Sequence, residues 1–252
     1  MSAVSVDESR ELDAAKRARY FRQLLDASGH PLPGGAKLLD FGCGQGAMVR
    51  VFHDHGFDAY GCDFATNMAD FDSRLCPLAT DPYRVPFEDG EFDCVISDQV
   101  FEHVQDYEAA LSEIRRVLRP GGVSLHLFPP RFCLREPHTF VPLATIFQNH
   151  GWLLLWSALG VRNQFQGGKL TREVARLNHV FLREQTTYYS RHRLLQKARR
   201  VFPSARLIEQ EILASRPTRR SQLLSTGARR FPLIATVFCE LKMRGLLAAV
   251  PR

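Results

Sequence analysis

Five short apolar runs, separated by helical patterns, constrain this chain more than any other feature. KLLDF (37–41), DAYGC (58–62), RLCPLA (74–79), FDCVIS (92–97) and GVSLHLF (122–128) read as strands. Helical spacing falls between them at 45–55, 65–71 and 106–118; the last, DYEAALSEIRRVL, opens on an acid and stops at RPGG. Runs apolar on both faces do not suit a sheet with one wet side. They predict a mostly parallel sheet covered by helices on both faces, an α/β doubly wound fold. A sheet of this kind takes its ligand at the carboxyl ends of its strands, near the point where strand order reverses.

Outside these runs the reading is helical. Residues 8–28 place Leu12, Ala15, Ala18 and Leu25 at helical spacing, and GHPLPGG (29–35) breaks the pattern. After Phe128 the alternation stops. PPRFCLREPHTFVP is a loop, 143–161 is strongly apolar with Trp152 and Trp156, and 170–200 is basic and helical. ARLIEQEIL (205–213) alternates as a strand would, and 231–250 reads as an amphipathic helix. The expected organisation is an N-terminal helical segment (1–35), a ligand-binding core (36–130), and a helical elaboration (131–252) inserted after strand five and completing the same domain.

No apolar run reaches the roughly 18–20 residues of a membrane span, and the polar start lacks the apolar core of a secretory leader. The six cysteines (43, 62, 76, 94, 133, 239) form no C-x-x-C pair. Neither a disulfide framework nor a cysteine metal site is expected, and reduced thiols fit a cytoplasmic chain. Charge divides sharply. Residues 1–150 carry 14 Lys and Arg against 22 Asp and Glu, whereas 151–252 carry 19 against 5. The basic half suits an anionic partner, whether a phosphorylated small molecule, a lipid headgroup or a nucleic acid; a solvated arginine-rich helical face is the plainer alternative.

The stretch LLDFGCGQG (38–46) carries the first functional signal. A buried strand ends on Asp40, and Gly42, Gly44 and Gly46 follow at alternate positions. Glycines let the chain turn into a helix and let a ligand lie on bare backbone. A dinucleotide would rest its pyrophosphate there, and the loop fits that pattern loosely, so the motif needs its neighbours. A nucleoside cofactor without phosphate could instead lay its carboxylate and ribose over the same turn, and Asp63, at the end of the second strand, is placed to accept from the ribose hydroxyls of either ligand.

The neighbours separate the two. TDPYRVPFEDGEFDCVISDQVFEHV (80–104) with RRVLRPGG (115–122) and LLDFGCGQG resembles the class I S-adenosylmethionine-dependent methyltransferases, over about residues 36–128. Asp40 agrees, since an acid there suits the cofactor's ammonium and would repel a pyrophosphate. The resemblance implies a Rossmann-like sheet and S-adenosyl-L-methionine as cofactor. It implies that Asp40, Gly42, Gly44 and Gly46 line the methionine end, that Asp63 holds the ribose and that Phe64 packs on the adenine. Asp81 would accept from the adenine amino group with the Pro82 backbone beside it, although proline has no amide hydrogen to offer. Ser97 and Asp98 would flank the sulfonium through their backbone carbonyls.

Methyl transfer needs alignment and exclusion of water, and a base only where the acceptor must lose a proton. His138, in REPHTF after strand five, is the candidate base or acceptor ligand; the E-P-H-T and V-P-L pattern there resembles a subgroup of bacterial small-molecule and glycan methyltransferases. His103, in FEHV, is the second candidate, with site ordering as its plainer role. His126 falls in the sheet as a core residue, and Tyr188 and Tyr189 are placed to close the pocket. No metal is expected. The sequence therefore predicts O-methylation of a small molecule or glycan, phosphorylated or lipid-linked, with scope for peripheral membrane contact through 151–161 and the basic segments. A nucleic-acid-modifying enzyme is the rival, weakened because SDQV stands where a base-methylation signature would follow strand four. A non-catalytic partner protein of the same fold is the third reading.

Overall fold

The computed structural model describes residues 6–67, 73–80, 82–216 and 218–252. A seven-stranded sheet runs in the order β3-β2-β1-β6-β7-β9-β8. Its strands are β1 (Lys37–Phe41), β2 (Asp58–Asp63), β3 (Leu75–Pro77), β6 (Phe92–Asp98), β7 (Leu118–Phe128), β8 (Arg206–Leu207) and β9 (Arg244–Ala249). A separate two-stranded ribbon pairs β4 (Ala79–Thr80) with β5 (Tyr83–Arg84). From β3 to β7 all pairings are parallel, and β9 runs antiparallel to both β7 and β8. The α/β reading holds, and the five expected strands all appear in the sheet.

The apolar runs lack alternation because both faces are covered. Leu38 and Leu39 are each fully buried, one beneath each helical layer, and Cys94, Val95 and Ile96 divide in the same way. One layer contains α1 (Val6–Ala27), α2 (Ala47–Asp54), α7 (Glu209–Ala214) and α9 (Leu233–Lys242); the other contains α3 (Tyr107–Val117) and α6 (Arg191–Val201). In α1 the buried stripe is Ala14, Ala18, Phe21, Leu24 and Leu25, a single helical face laid against the sheet. Asp106 caps α3 by accepting from the amides of Glu108 and Ala109. A third, smaller core joins α4 (His150–Ala158) to α5 (Thr171–Glu184) around Leu153, Ala175 and Leu182, and α8 (Arg219–Arg230) packs at the far side.

Two expectations about the C-terminal third are corrected. ARLIEQEIL forms only the two-residue β8 before turning into α7, and Ile208, Ile212 and Leu213 bury as the apolar side of that turn and helix. The tail is not one helix. It stops at Lys242, and RGLLAA becomes β9, wedged between β7 and β8. Leucine and alanine are good helix formers, and a strand buried on both faces shows no alternation to betray it. In the helical pattern at 65–71, residues 65–67 form a single 3-10 turn and 68–71 lie outside the described residues. The basic helical stretch 170–200 is broken at 185–190, giving α5 and α6.

Candidate functional site

Strand order reverses at β1, which pairs with β2 on one side and β6 on the other. The carboxyl ends of these three strands carry Asp40, Asp63 and Asp98, and the loop after β1 passes directly over them. Gly42, Gly44 and Gly46 all hold positive φ (82°, 53° and 73°). At Gly42 a Cβ would stand 2.3 Å from Val100 Cγ2, whereas at Gly44 it would meet only open space. The loop is thus packed on one side and bare on the other. Asp63 fixes it, accepting from the Gly44 amide at 2.7 Å and from the Phe64 amide at 2.6 Å.

A cleft of about 580 Å³ opens here, lined by Asp40, Gly42, Cys43, Met48, Arg50 and Asp98 together with Glu11, Asp13 and Arg17 of α1. Burial pushes the Asp40 carboxyl up to about 8; Asp98 and Asp63 add to the rise and Arg17 opposes it. Asp98 is also raised, again by burial, even though Arg17 pairs with it at 2.6 Å. Three carboxyl groups crowded at one end of the sheet, with Arg17 paired to one of them, favour a further positive charge among them. The role of α1 was missed in the sequence, because Arg17 faces the cleft across 81 residues of chain and no local pattern marks it.

Phe64, half exposed, borders a second cavity of about 420 Å³ with Asp63, Gln99, Val100 and His103. A third cavity of similar size joins Arg17, Asp98, Gln99, Pro137 and His138. Gln99 between them holds φ at 58°, an uncommon conformation for a side-chain-bearing residue, and donates its amide to Leu127 O. Ser97 does not reach the cleft through its side chain. It is fully buried, and its hydroxyl lies 2.8 Å from His126 Nδ1 inside the sheet. His126 sits in the core as expected, its imidazole held at about 3 by burial. Pro82 is exposed beside the β4–β5 ribbon, and Asp81 lies outside the described residues.

The two candidate histidines meet. Their Nε2 atoms stand 3.2 Å apart, although His103 follows β6 and His138 lies in the loop after β7. Behind His138, fully buried Glu136 accepts from its Nδ1 at 2.8 Å and from the hydroxyls of Thr139 and Tyr188. Burial alone would raise Glu136, but the hydrogen bonds from His138 and Thr139 outweigh it and hold the carboxyl below its usual value. His138 is displaced upward; burial opposes that, and the Glu136 contact overcomes it. Tyr188 donates its hydroxyl to Glu136 behind His138, and Tyr189 packs edge-on against Tyr107. Glu102 and Glu136 were missed; both are fully buried acids, and nothing in a sequence distinguishes them from surface carboxylates.

Part of the basic half is spent internally. Arg191 pairs with Glu209, Arg206 with Glu211 and Arg244 with Glu240, while Lys197 and Arg200 share Glu108. No helix among the described residues is long and apolar enough to cross a membrane.

A strand-order reversal, a glycine loop with one bare side and three strand-end acids match the cofactor end expected of a class I S-adenosylmethionine-dependent methyltransferase domain. Comparison with known proteins agrees: residues 39–125 match the family model described as a methyltransferase domain. The chain is 40% identical over 106 residues to a demethylmenaquinone methyltransferase of Beutenbergia cavernae, covering 40% of this chain and 43% of that protein. It is 37% identical over 108 residues to a malonyl-[acyl-carrier protein] O-methyltransferase of Serratia marcescens, covering 41% of each. The chain thus spans less than half the length of these two relatives. Among solved structures, an S-adenosylmethionine-dependent methyltransferase from Archaeoglobus fulgidus aligns with a TM-score of 0.52 at 15% identity, over 95% of this chain and 94% of that one. Phosphoethanolamine N-methyltransferase 2 of Haemonchus contortus, in complex with S-adenosyl-L-methionine, aligns with a TM-score of 0.51 at 17% identity, over 93% and 52%. These two likenesses concern the fold.

Proposed function

We propose that the chain transfers a methyl group from S-adenosylmethionine to an oxygen of a small molecule or glycan. The observation that carries this reading is the ring of Asp40, Asp63 and Asp98 around a glycine loop with one bare side. A cofactor bearing an ammonium and a sulfonium suits such a ring, and a pyrophosphate would be repelled. The residues fit the group at each end. Asp40 meets the ammonium, Arg17 and Arg50 lie in the same cleft for the carboxylate, Asp63 reaches the ribose, and the half-exposed Phe64 ring offers a face to the adenine. When bound, the cofactor supplies a methyl group already activated by the positive sulfur.

The rest falls to the chain. Asp98 borders both the cofactor cleft and the cavity of His138, so the acceptor belongs in that cavity. Glu136 holds His138 by its Nδ1–H and turns Nε2 forward, the arrangement needed to take a proton from an acceptor hydroxyl. Pro137 and His138 of the loop after β7 wall this cavity on one side, and Arg17, Tyr20 and Phe21 of α1 wall it on the other. The names of the relatives, which refer to a menaquinone precursor and a malonyl-acyl-carrier protein, favour a small-molecule acceptor over a nucleic acid, as does the internal pairing of the basic residues.

The test is calorimetric titration with S-adenosylhomocysteine and with NAD, followed by transfer of labelled methyl to a panel of phenols, sugars, carboxylates and lipid-linked glycans. Micromolar binding of the former alone, and label on a hydroxylated acceptor, are expected. His138→Asn should keep S-adenosylhomocysteine affinity while kcat falls on the order of 10²-fold or more. Binding of NAD instead would refute the cofactor reading. Cofactor binding with no turnover of any acceptor would favour a non-catalytic partner protein.

A further inference from the structure

Glu102, His103 and His138 each offer one ligating atom, and these atoms lie within 4.8 Å of one another. Both imidazoles are held from behind. His103 Nδ1 lies 2.8 Å from the carbonyl oxygen of Gln185, and His138 Nδ1 lies 2.8 Å from Glu136. A carbonyl can only accept, and so can ionised Glu136, which also takes the amides of His138 and Thr139. Each Nδ1 therefore carries a hydrogen, and each ring, when neutral, turns a bare Nε2 lone pair forward. The lone pairs face one another at 3.2 Å. Two lone pairs at that distance repel, so an electron-poor centre belongs between them.

The third group decides which centre. Glu102 is fully buried, and neither carboxylate oxygen has a hydrogen-bond partner in the structure. A proton shared by the two rings would leave this acid orphaned, at the cost of an uncompensated buried carboxyl. A divalent ion satisfies all three groups at once. An Nε2–Nε2 separation of 3.2 Å matches the roughly 3.3 Å edge of a tetrahedron with metal–nitrogen bonds near 2.0 Å. The rings cross at 74° with centroids 4.8 Å apart, too close for two rings laid end to end along the N···N line. The rings are therefore bent away from that line rather than aligned along it. The carbonyl and carboxylate behind the rings are the outer partners that metal-bound histidines usually have.

We propose that Glu102, His103 and His138 form a two-histidine, one-carboxylate site for a divalent first-row transition ion of the zinc type, with its open positions toward the acceptor cavity. Mixed imidazole and carboxylate donors select such ions over magnesium or calcium. Cysteine spacing gave no sign of the site, because its donors come from two segments 35 residues apart. An ion there occupies both Nε2 lone pairs. It would take over from His138 the activation of an acceptor hydroxyl, lowering the pKa of the bound oxygen so that its proton passes to solvent. That use rests on the acceptor-cavity reading; binding of the ion does not.

The experiment strips the full chain with chelator and titrates it with Zn²⁺ by calorimetry and with Co²⁺ by absorption, while S-adenosylhomocysteine binding reports folding independently. One equivalent of Zn²⁺ should bind at micromolar affinity or tighter and raise the thermal unfolding midpoint. Co²⁺ should give visible d–d bands without the thiolate charge-transfer band that cysteine ligation would add. Glu102→Gln, close to isosteric, and His138→Asn should each weaken Zn²⁺ at least tenfold. Absence of stoichiometric Zn²⁺ binding, unchanged affinity in both variants, or a thiolate band overturns the site. Loss of S-adenosylhomocysteine binding by the unaltered chain overturns the methyltransferase reading instead, and leaves the ion titration to be judged separately.

Discussion

Acidification should release the cofactor, and the structure sets the size of the effect. Asp40 is 3% exposed and titrates at about 8, raised by burial and by Asp98 and Asp63. A ligand ammonium beside it favours the ionised form, so binding below pH 8 expels a proton. Affinity should then fall close to tenfold per pH unit, about 1.4 kcal/mol, until the carboxyl titrates in the complex. Above about pH 8 the ligand's own α-amino group loses its charge, which places the optimum near pH 8. Calorimetry with S-adenosylhomocysteine at pH 6, 7 and 8, in buffers of different ionisation enthalpy, reads both affinity and proton release. From pH 7 to pH 6 the dissociation constant should rise about tenfold, with close to one proton released. Asp40→Asn should bind more weakly at pH 8 yet approach the unaltered protein at pH 6, where that protein is already protonated at Asp40. A flat profile from pH 6 to 8, or an acid limb unchanged in Asp40→Asn, would refute the placement of the ammonium.

Three further outcomes follow from packing and burial. Gly42→Ala meets Val100 at 2.3 Å with φ at 82°, so it should destabilise by about 2–5 kcal/mol in urea unfolding, and adding Val100→Ala should recover the packing share but leave about 1–2 kcal/mol of backbone strain. Arg244 is 2% exposed, pairs with Glu240 at 2.5 Å and donates to Tyr189 O; Arg244→Ala strands that acid and should cost about 3–5 kcal/mol by the same assay. The imidazole of His126 titrates at about 3 when folded against 6.5 unfolded, so the unfolded chain binds the extra proton and stability is lost as pH falls below 6.5. His126→Phe removes that loss, so its stability relative to the unaltered protein should improve by up to about 1.4 kcal/mol per pH unit between pH 6 and 4, whatever fixed cost the lone Ser97 hydroxyl adds; a constant difference would sink the argument.

The parallel half of the fold was legible because each strand ends in a turn that sequence marks well. KLLDF matches β1 residue for residue, and DYEAALSEIRRVL contains α3 with its Asp106 cap. The antiparallel edge was not legible: RGLLAA has the composition of a helix, and only the room between β7 and β8 makes it a strand. At the site, the glycines and strand-end acids could be named from spacing because they sit at fixed offsets from buried strands. His103 and His138 could be named singly, but their meeting depends on how two loops cross above the sheet. The acids Glu102 and Glu136 draw their properties from burial, and Arg17 from the way α1 lies over the cleft; neither leaves a local trace in the chain.

The position of β9 bears on how the molecule is made. It pairs Ala249 with Val123 and Arg244 with Phe128, so one interior seam of the sheet joins segments more than a hundred residues apart. A chain emerging from the ribosome has its glycine loop and carboxylates in place long before that strand exists. Until then the apolar stretch Val123–Phe128 presents an open edge to its surroundings, the kind that pairs with strangers. Closing that long loop carries an entropic cost that the local parallel pairings do not, and the interval before it closes is when a newborn chain most needs protection from its neighbours.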